Sequence, residues 1–259
     1  MSAAIGRLVF VNPGRRNALS SQMMLDSAVA LNRFASDPEV RAVIVSGHGT
    51  TFTAGADLTE MADTDSSEHG DATERGTDRP TTPDAAAALF RSLDGFDRPI
   101  IAMIRGYCLG AGVAVALRAD LRVATPQSAF GIPAARVGIG YPLPEVESLV
   151  AAVGPSAAAD LLFTARRIDG AEAHRLGLVT RLVDDTDLDA VTTSIGEAIA
   201  ANAPLSIRAA KAAIATIGSD QPDLRHRAEQ LLQICANSVD AREGARAILQ
   251  KRPPRFLGR

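Results

Sequence analysis

Apolar and polar positions change period several times along this chain, and each change predicts a different element. Leu8 to Val11 and Ala42 to Val45 are short β-branched runs without clean alternation, the pattern of strands covered on both faces. Between them, Ser20 to Phe34 carries apolar residues at helical spacing behind a serine cap. Thr82-Pro83 offers a cap and first-turn proline for a helix over Asp84 to Leu93, and Pro99 to Ile104 is the next buried strand. Strands are predicted again at Asp120 to Ala124 and Ser128 to Ile132, turning at Thr125-Pro126-Gln127. From about Asp187 the chain reads as helix: Leu188 to Ala201, Pro204 to Ile217, Gln221 to Asn237 and Ala241 to Gln250. The segment from Ala62 to Pro80 has almost no large apolar residue and cannot offset its ordering entropy by burial, so it reads as a mobile loop.

The order predicts an α/β fold with parallel pairing and crossover helices. Its division is a core over residues 1–186 and a helical segment over 187–259 that packs on its own core or on a neighbouring subunit. With 259 residues a substantial core can form. A net charge of −3 with interspersed signs supplies no basic footprint for nucleic acid. The longest apolar stretch, Pro99 to Leu117, is broken by Arg105 and glycines, so neither a membrane span nor a signal peptide is predicted and the expected location is cytoplasmic. Cys108 and Cys235 are far apart and show no metal-ligand spacing, and no metal site is expected.

Chemistry concentrates at two strand-to-helix junctions. Gly110-Ala111-Gly112 precedes the helical Val113 to Leu117, and Ala54-Gly55-Ala56-Asp57-Leu58 forms a second turn of the same kind. Small residues there allow close backbone approach, and free amides at a helix start can stabilise an oxyanion. Asp57 is also a candidate helix-start carboxylate.

In order and at family spacing, Phe52-Thr53-Ala54-Gly55-Ala56-Asp57-Leu58, Gly106-Tyr107-Cys108-Leu109-Gly110-Ala111-Gly112 and Phe130-Gly131-Ile132-Pro133 resemble the enoyl-CoA hydratase/isomerase, or crotonase, family. The similarity runs from Asn12 to Phe256. It implies a spiral of strand-strand-helix turns and a carboxyl-terminal helical segment that builds trimers, often paired into hexamers. It also implies an acyl-CoA thioester as ligand, with coenzyme A entering as part of the substrate and no permanently bound cofactor. By position, the amides of Ala56 and Ala111 match the family's oxyanion hole. Arg16, Ala18, Ala54, Asp57, Leu58, Gly110 and Pro133 match positions around the CoA moiety, and Lys251 matches a tail lysine that meets its phosphates, commonly across subunits.

Two departures from the family decide the chemistry. The glutamates that move protons in family hydratases correspond here to Ala114 and Ala134, which neither accept nor donate. One positioned acid-base group contributes about 10²–10⁴-fold in rate. Ordinary hydratase activity is therefore expected to be absent or very weak. An oxyanion hole alone still serves reactions through a thioester enolate, so a lyase, isomerase or decarboxylase is expected, the alternative being a catalytically silent acyl-CoA carrier or sensor. Tyr141 stands near a position where some family decarboxylases carry a tyrosine and is the third catalytic candidate. Its alternative is a wall residue with its hydroxyl bonded to backbone. Glu145 and Glu147 begin the following helix as replacement acids or as partners of the helix dipole. The dehalogenases' nucleophilic aspartate falls at Pro142, which excludes that chemistry. Among the histidines, only His69, in the predicted loop, is a remote candidate.

Overall fold

In the computed structural model, described over residues 4–60, 81–219 and 221–259, the chain builds two sheets wrapped by helices. The larger sheet is entirely parallel. Its strands are β1 (Ile5–Phe10), β2 (Ala42–Gly47), β3 (Ile100–Ile104), β5 (Leu121–Ala124) and β8 (Arg181–Leu182), in the order β1-β2-β3-β5-β8. The smaller joins β4 (Tyr107–Leu109), β6 (Ala129–Gly131) and β7 (Arg167–Asp169), with β4 parallel and β7 antiparallel to β6. This is an α/β architecture, and the parallel pairing matches the expectation from the unbroken apolar runs.

Those runs are explained by two cores on opposite faces of one sheet. Along β2, Val43 and Val45 enter one core while Ile44 enters the other; along β3, Ile100, Ala102 and Ile104 alternate with Ile101 and Met103 in the same way. The first core is closed by α1 (Ser21–Ser36) and α2 (Thr82–Asp94), which set Met24 and Leu31 against Leu89 and Leu93. The second is closed by α7 (Leu188–Ala201), which contributes Leu188 and Ile195. Gly196 packs α7 close on the sheet, where a Cβ would stand 2.9 Å from Ile5 Cδ1 and that side chain would have to turn aside.

Helix starts follow their caps. Ser20 accepts the Met23 amide at 3.2 Å and opens α1 as predicted. The cap of α2 is Thr81, one residue before the predicted Thr82, because Thr81 and Asp84 form a reciprocal capping box. After α3 (Ala111–Arg118), the helices α4 (Leu143–Val153), α5 (Pro155–Thr164) and α6 (Gly170–Arg175) complete the wrapping. The last three are α8 (Pro204–Ile214), α9 (Pro222–Ala236) and α10 (Val239–Leu249). Helix α8 stops three residues short of the predicted Ile217, dissolving into turns before the left-handed Gly218. Helix α10 begins earlier than predicted because Ser238 caps it through the Ala241 amide. The predicted loop over Ala62 to Pro80, with His69, lies outside the described residues. Among the described residues no helix is long and apolar enough to cross a membrane.

Candidate active site

The two junctions singled out in the sequence meet through the backbone. The segment Thr53 to Asp57 lies between Leu19 and β4: the Leu19 amide donates to the Gly55 carbonyl at 2.8 Å, and the Asp57 amide returns to the Leu19 carbonyl at 2.9 Å. On the other side the Thr53 amide donates to the Tyr107 carbonyl at 2.8 Å, and the Leu109 amide to the Thr53 carbonyl at 3.1 Å. Glycine is required where the turns touch. A Cβ on Gly55, whose φ is +103°, would lie 2.8 Å from the Leu109 carbonyl and 3.6 Å from the Ala111 nitrogen. A Cβ on Gly112 would lie 2.6 Å from Thr53 Cγ2.

The amides of this junction can be accounted for one by one. Ala54 donates to the Arg16 carbonyl at 3.0 Å, Gly55 to the Thr53 hydroxyl at 3.1 Å and Gly110 to the Gly131 carbonyl at 2.9 Å. Among the described residues, the amides of Ala56, Ala111 and Gly112, and that of the exposed Leu58, donate to no protein acceptor. Ala111 is the first residue of α3, where the helix leaves its N–H groups free and carries a partial positive charge.

Around these donors the predicted residues divide. The Arg16 carbonyl holds Ala54, and the following Asn17 is buried and left-handed, with its side-chain amide bonded to the carbonyls of His48 (2.9 Å) and Thr51 (2.6 Å). Arg16, Ala18 and Ala54 are thereby brought to one place. The Arg16 guanidinium stands 5.3 Å from the Tyr107 ring centre, and Arg167 stands 5.4 Å from the same centre. Leu58 is exposed and opens a helical turn that Asp57 caps, accepting the Thr59 amide at 3.1 Å and hydroxyl at 2.8 Å. Pro133 starts the 3-10 turn Pro133–Arg136, with its Cδ 3.9 Å from where a Gly110 Cβ would be. Lys251 is in the turn after α10, its amide on the Ile248 carbonyl, and none of its described bonds reaches this cluster.

Ala114 and Ala134 are both buried, Ala134 within the main apolar core against which Tyr141 packs. The Tyr141 hydroxyl donates to the Gly110 carbonyl at 3.3 Å, the backbone-bonded alternative weighed for it above. Burial first, and then the nearby charge of Glu145, push the phenol above its usual range.

Two partners were not legible in the sequence. Arg15, rather than its neighbour Arg16, grips Asp57, and Arg118 pairs with Glu145 at 2.9 Å. Arg118 also donates to the Ala114 carbonyl at 3.1 Å and lies 4.0 Å over the Phe90 ring. Glu145 is thus a buried ion-pair partner, with Oε2 lacking a protein donor, as well as a first-turn carboxylate of α4. Only its apolar surroundings and the arginine at one helix end hinted at this. Among the described residues no cluster of His, Cys, Asp or Glu could hold a metal ion.

The chain is similar to known proteins over its full length. The sequence profile of enoyl-CoA hydratase/isomerase matches residues 1–259. The chain belongs to the enoyl-CoA hydratase/isomerase family. It is 31% identical to the 2,3-dehydroadipyl-CoA hydratase of Escherichia coli, covering 97% of this chain and 94% of that one. It is 30% identical to the crotonyl-CoA hydratase of Syntrophomonas wolfei, covering 97% and 94%. The crystal structure of an enoyl-CoA hydratase from Bacillus anthracis superposes with a TM-score of 0.86 at 26% identity, covering 99% of this chain and 96% of that one. Against that family background, this crotonase-fold chain combines main-chain donors at Ala56 and Ala111 with alanines at positions 114 and 134.

Proposed function

We propose that this family member binds an acyl-CoA thioester and stabilises its enolate between the main-chain amides of Ala56 and Ala111. The observation that carries the reading is that these two amides, at adjoining glycine-dependent turns, are among the few donors of their junction without an acceptor among the described residues, with those of Gly112 and the exposed Leu58. A thioester oxygen would complete both. Each such donor contributes about 2.7–4 kcal/mol to a developing oxyanion. Arg16, Ala18, Ala54, Asp57, Leu58, Gly110 and Pro133 surround the CoA moiety in this reading, and CoA comes and goes as part of the substrate.

Water addition needs one group to deprotonate water and another to protonate the α carbon. With Ala114 and Ala134 at the corresponding places, the favoured reactions are those that reach an enolate otherwise: a lyase, isomerase or decarboxylase. In decarboxylation of a malonyl-type thioester, the bond to the carboxylate breaks, its electron pair moves into the enolate held by the two amides, and carbon dioxide departs. The α carbon then takes a proton from water. A second reading, an acyl-CoA carrier or sensor without turnover, is favoured by the Tyr141 hydroxyl being engaged with a backbone carbonyl.

The test is incubation of purified protein with crotonyl-CoA, a 3-enoyl-CoA and methylmalonyl-CoA, with products followed by mass spectrometry and affinity by calorimetry. Turnover of either of the last two supports the enolate reading; binding without turnover selects the carrier. Absence of binding to every thioester overturns both, and rapid hydration of crotonyl-CoA overturns the role given to the two alanines.

The same reading assigns assembly to the carboxyl-terminal helices. Ile214, Ile217, Leu232, Ile234, Ile248 and Leu249 are exposed there, an apolar surface suited to a trimer or hexamer. Lys251 beside them would then meet the phosphates of a neighbouring subunit's ligand. Sedimentation equilibrium tests this, and a monomer at micromolar concentration rejects it.

A further inference from the structure

The Tyr141 bond has a significance that depends on which carbonyl it chooses. Gly110 C=O and Ala111 N–H are the two ends of a single peptide group, coupled by amide resonance. Electron density drawn toward the oxygen leaves the N–H more positive, and hydrogen bonds in such a chain strengthen one another by about 10–30% each. The Gly110 carbonyl accepts the amides of Val113 at 3.0 Å and Ala114 at 3.3 Å from within the helix turn. Tyr141, 31 residues away, adds the donor from outside it.

That outside donor adds to the two helix amides at a plane that the glycine itself does little to fix. Gly110 has φ 51° and ψ −114°, a conformation open to glycine and to few other residues, and it has no side chain to lock the peptide that follows. The phenol is suited to the task. Its burial, together with the negative charge of Glu145, keeps it protonated, although Arg118 acts in the opposite direction. Its single proton is directed at the carbonyl, so Tyr141 has none left for an α carbon.

We propose that Tyr141 is a positioning residue: by donating to the Gly110 carbonyl it orients and polarises the peptide group whose other end, the Ala111 N–H, grips the thioester oxygen. The assignment rests on the reading of Ala111 as an oxyanion donor and adds to it a side chain that acts from behind the hole without touching substrate.

A chromophoric ligand, 4-(dimethylamino)cinnamoyl-CoA, separates this role from the others, because its absorption moves to the red as its carbonyl is polarised. The wild-type protein is expected to bind it with a red shift. Tyr141→Phe is expected to bind within about twofold of wild-type affinity, with a smaller red shift and a smaller displacement of the ¹³C=O stretch. Any turnover found with 3-enoyl-CoA or methylmalonyl-CoA should fall about three- to tenfold in the same variant, the range of one neutral hydrogen bond. If the phenylalanine variant fails to fold, 3-fluorotyrosine at position 141 replaces it: a more acidic phenol is a stronger donor, and the shift should grow.

An unchanged shift in either variant overturns the proposal. So does a full shift accompanied by lost turnover, which would mark direct proton transfer. Failure of the wild-type protein to bind the chromophore or any acyl-CoA would instead remove the underlying thioester reading.

Discussion

Arg15 Nη1 lies 2.8 Å from both carboxylate oxygens of Asp57, tying the entry to the first helix to the turn that carries the Ala56 amide. Asp57 is buried and Arg15 is half exposed. Burial alone pushes the Asp57 carboxyl up, yet the hydroxyl and amide of Thr59 and the Arg15 guanidinium outweigh it and hold the group below its usual range. A depressed folded-state value means that the stabilisation is present above the unfolded value near ~3.9 and lost as pH falls through the folded one.

Asp57→Asn should therefore lower stability by about 1–2 kcal/mol at pH 7, the discount reflecting the exposed arginine. Urea unfolding at pH 7 and pH 3 checks this. The gap between wild type and variant should narrow at the lower pH, and a gap that widens would contradict the sign.

Gly110→Ala tests the backbone of the proposed oxyanion turn. There is space for the added methyl, the nearest atom being Pro133 Cδ at 3.9 Å, so the cost is conformational: φ is 51° and ψ is −114°. A loss of about 1–3 kcal/mol is expected, with thioester affinity falling more than thermal stability alone would explain. Gly55→Ala should be worse, since its Cβ would meet the Leu109 carbonyl at 2.8 Å.

Arg118→Met should destabilise by about 3–5 kcal/mol by leaving the Glu145 carboxylate buried without its partner. Combining it with Glu145→Leu should recover much of that loss, because the apolar pair no longer strands a charge. Denaturation of the two single variants and the double variant measures the coupling. Additivity would show that the ion pair is not the cause.

Ala114→Glu with Ala134→Glu should raise crotonyl-CoA hydration above wild type, since each restored acid-base group contributes about 10²–10⁴-fold when correctly placed. Both positions are buried in the core, so stability should fall as rate rises. Hydration by the wild type that already equals the double variant would refute the assigned consequence of the alanines.

The legible part of this fold is the part governed by local chemistry. Uninterrupted apolar runs at Ala42–Val45 and Ile100–Ile104 announced strands covered on both sides, and from Val43 to Val45 and Ile100 to Ile104 the two cores account for that pattern residue by residue. The glycines at residues 55 and 112 announced close approach of the two turns, and the distances at both bear it out, whereas Gly110 has space and answers to its backbone angles instead. Long-range side-chain choices left no comparable mark. Arg15 reaches Asp57 across 42 residues, and Arg118 reaches Glu145 across 27. The short strands Arg167–Asp169 and Arg181–Leu182 were also silent, because two or three residues carry no period and their pairing comes from the sheets they join.

The donors at Ala56 and Ala111 are main-chain atoms, and this separates inheritance of the anchoring device from inheritance of the chemistry. A codon change at position 114 or 134 can add or remove an acid, while every substitution compatible with the two turns leaves the same pair of main-chain N–H groups in place. Under the proposed thioester reading, anchoring and proton transfer answer to different kinds of substitution, so the reaction can be changed one side chain at a time without rebuilding the backbone that holds the ligand.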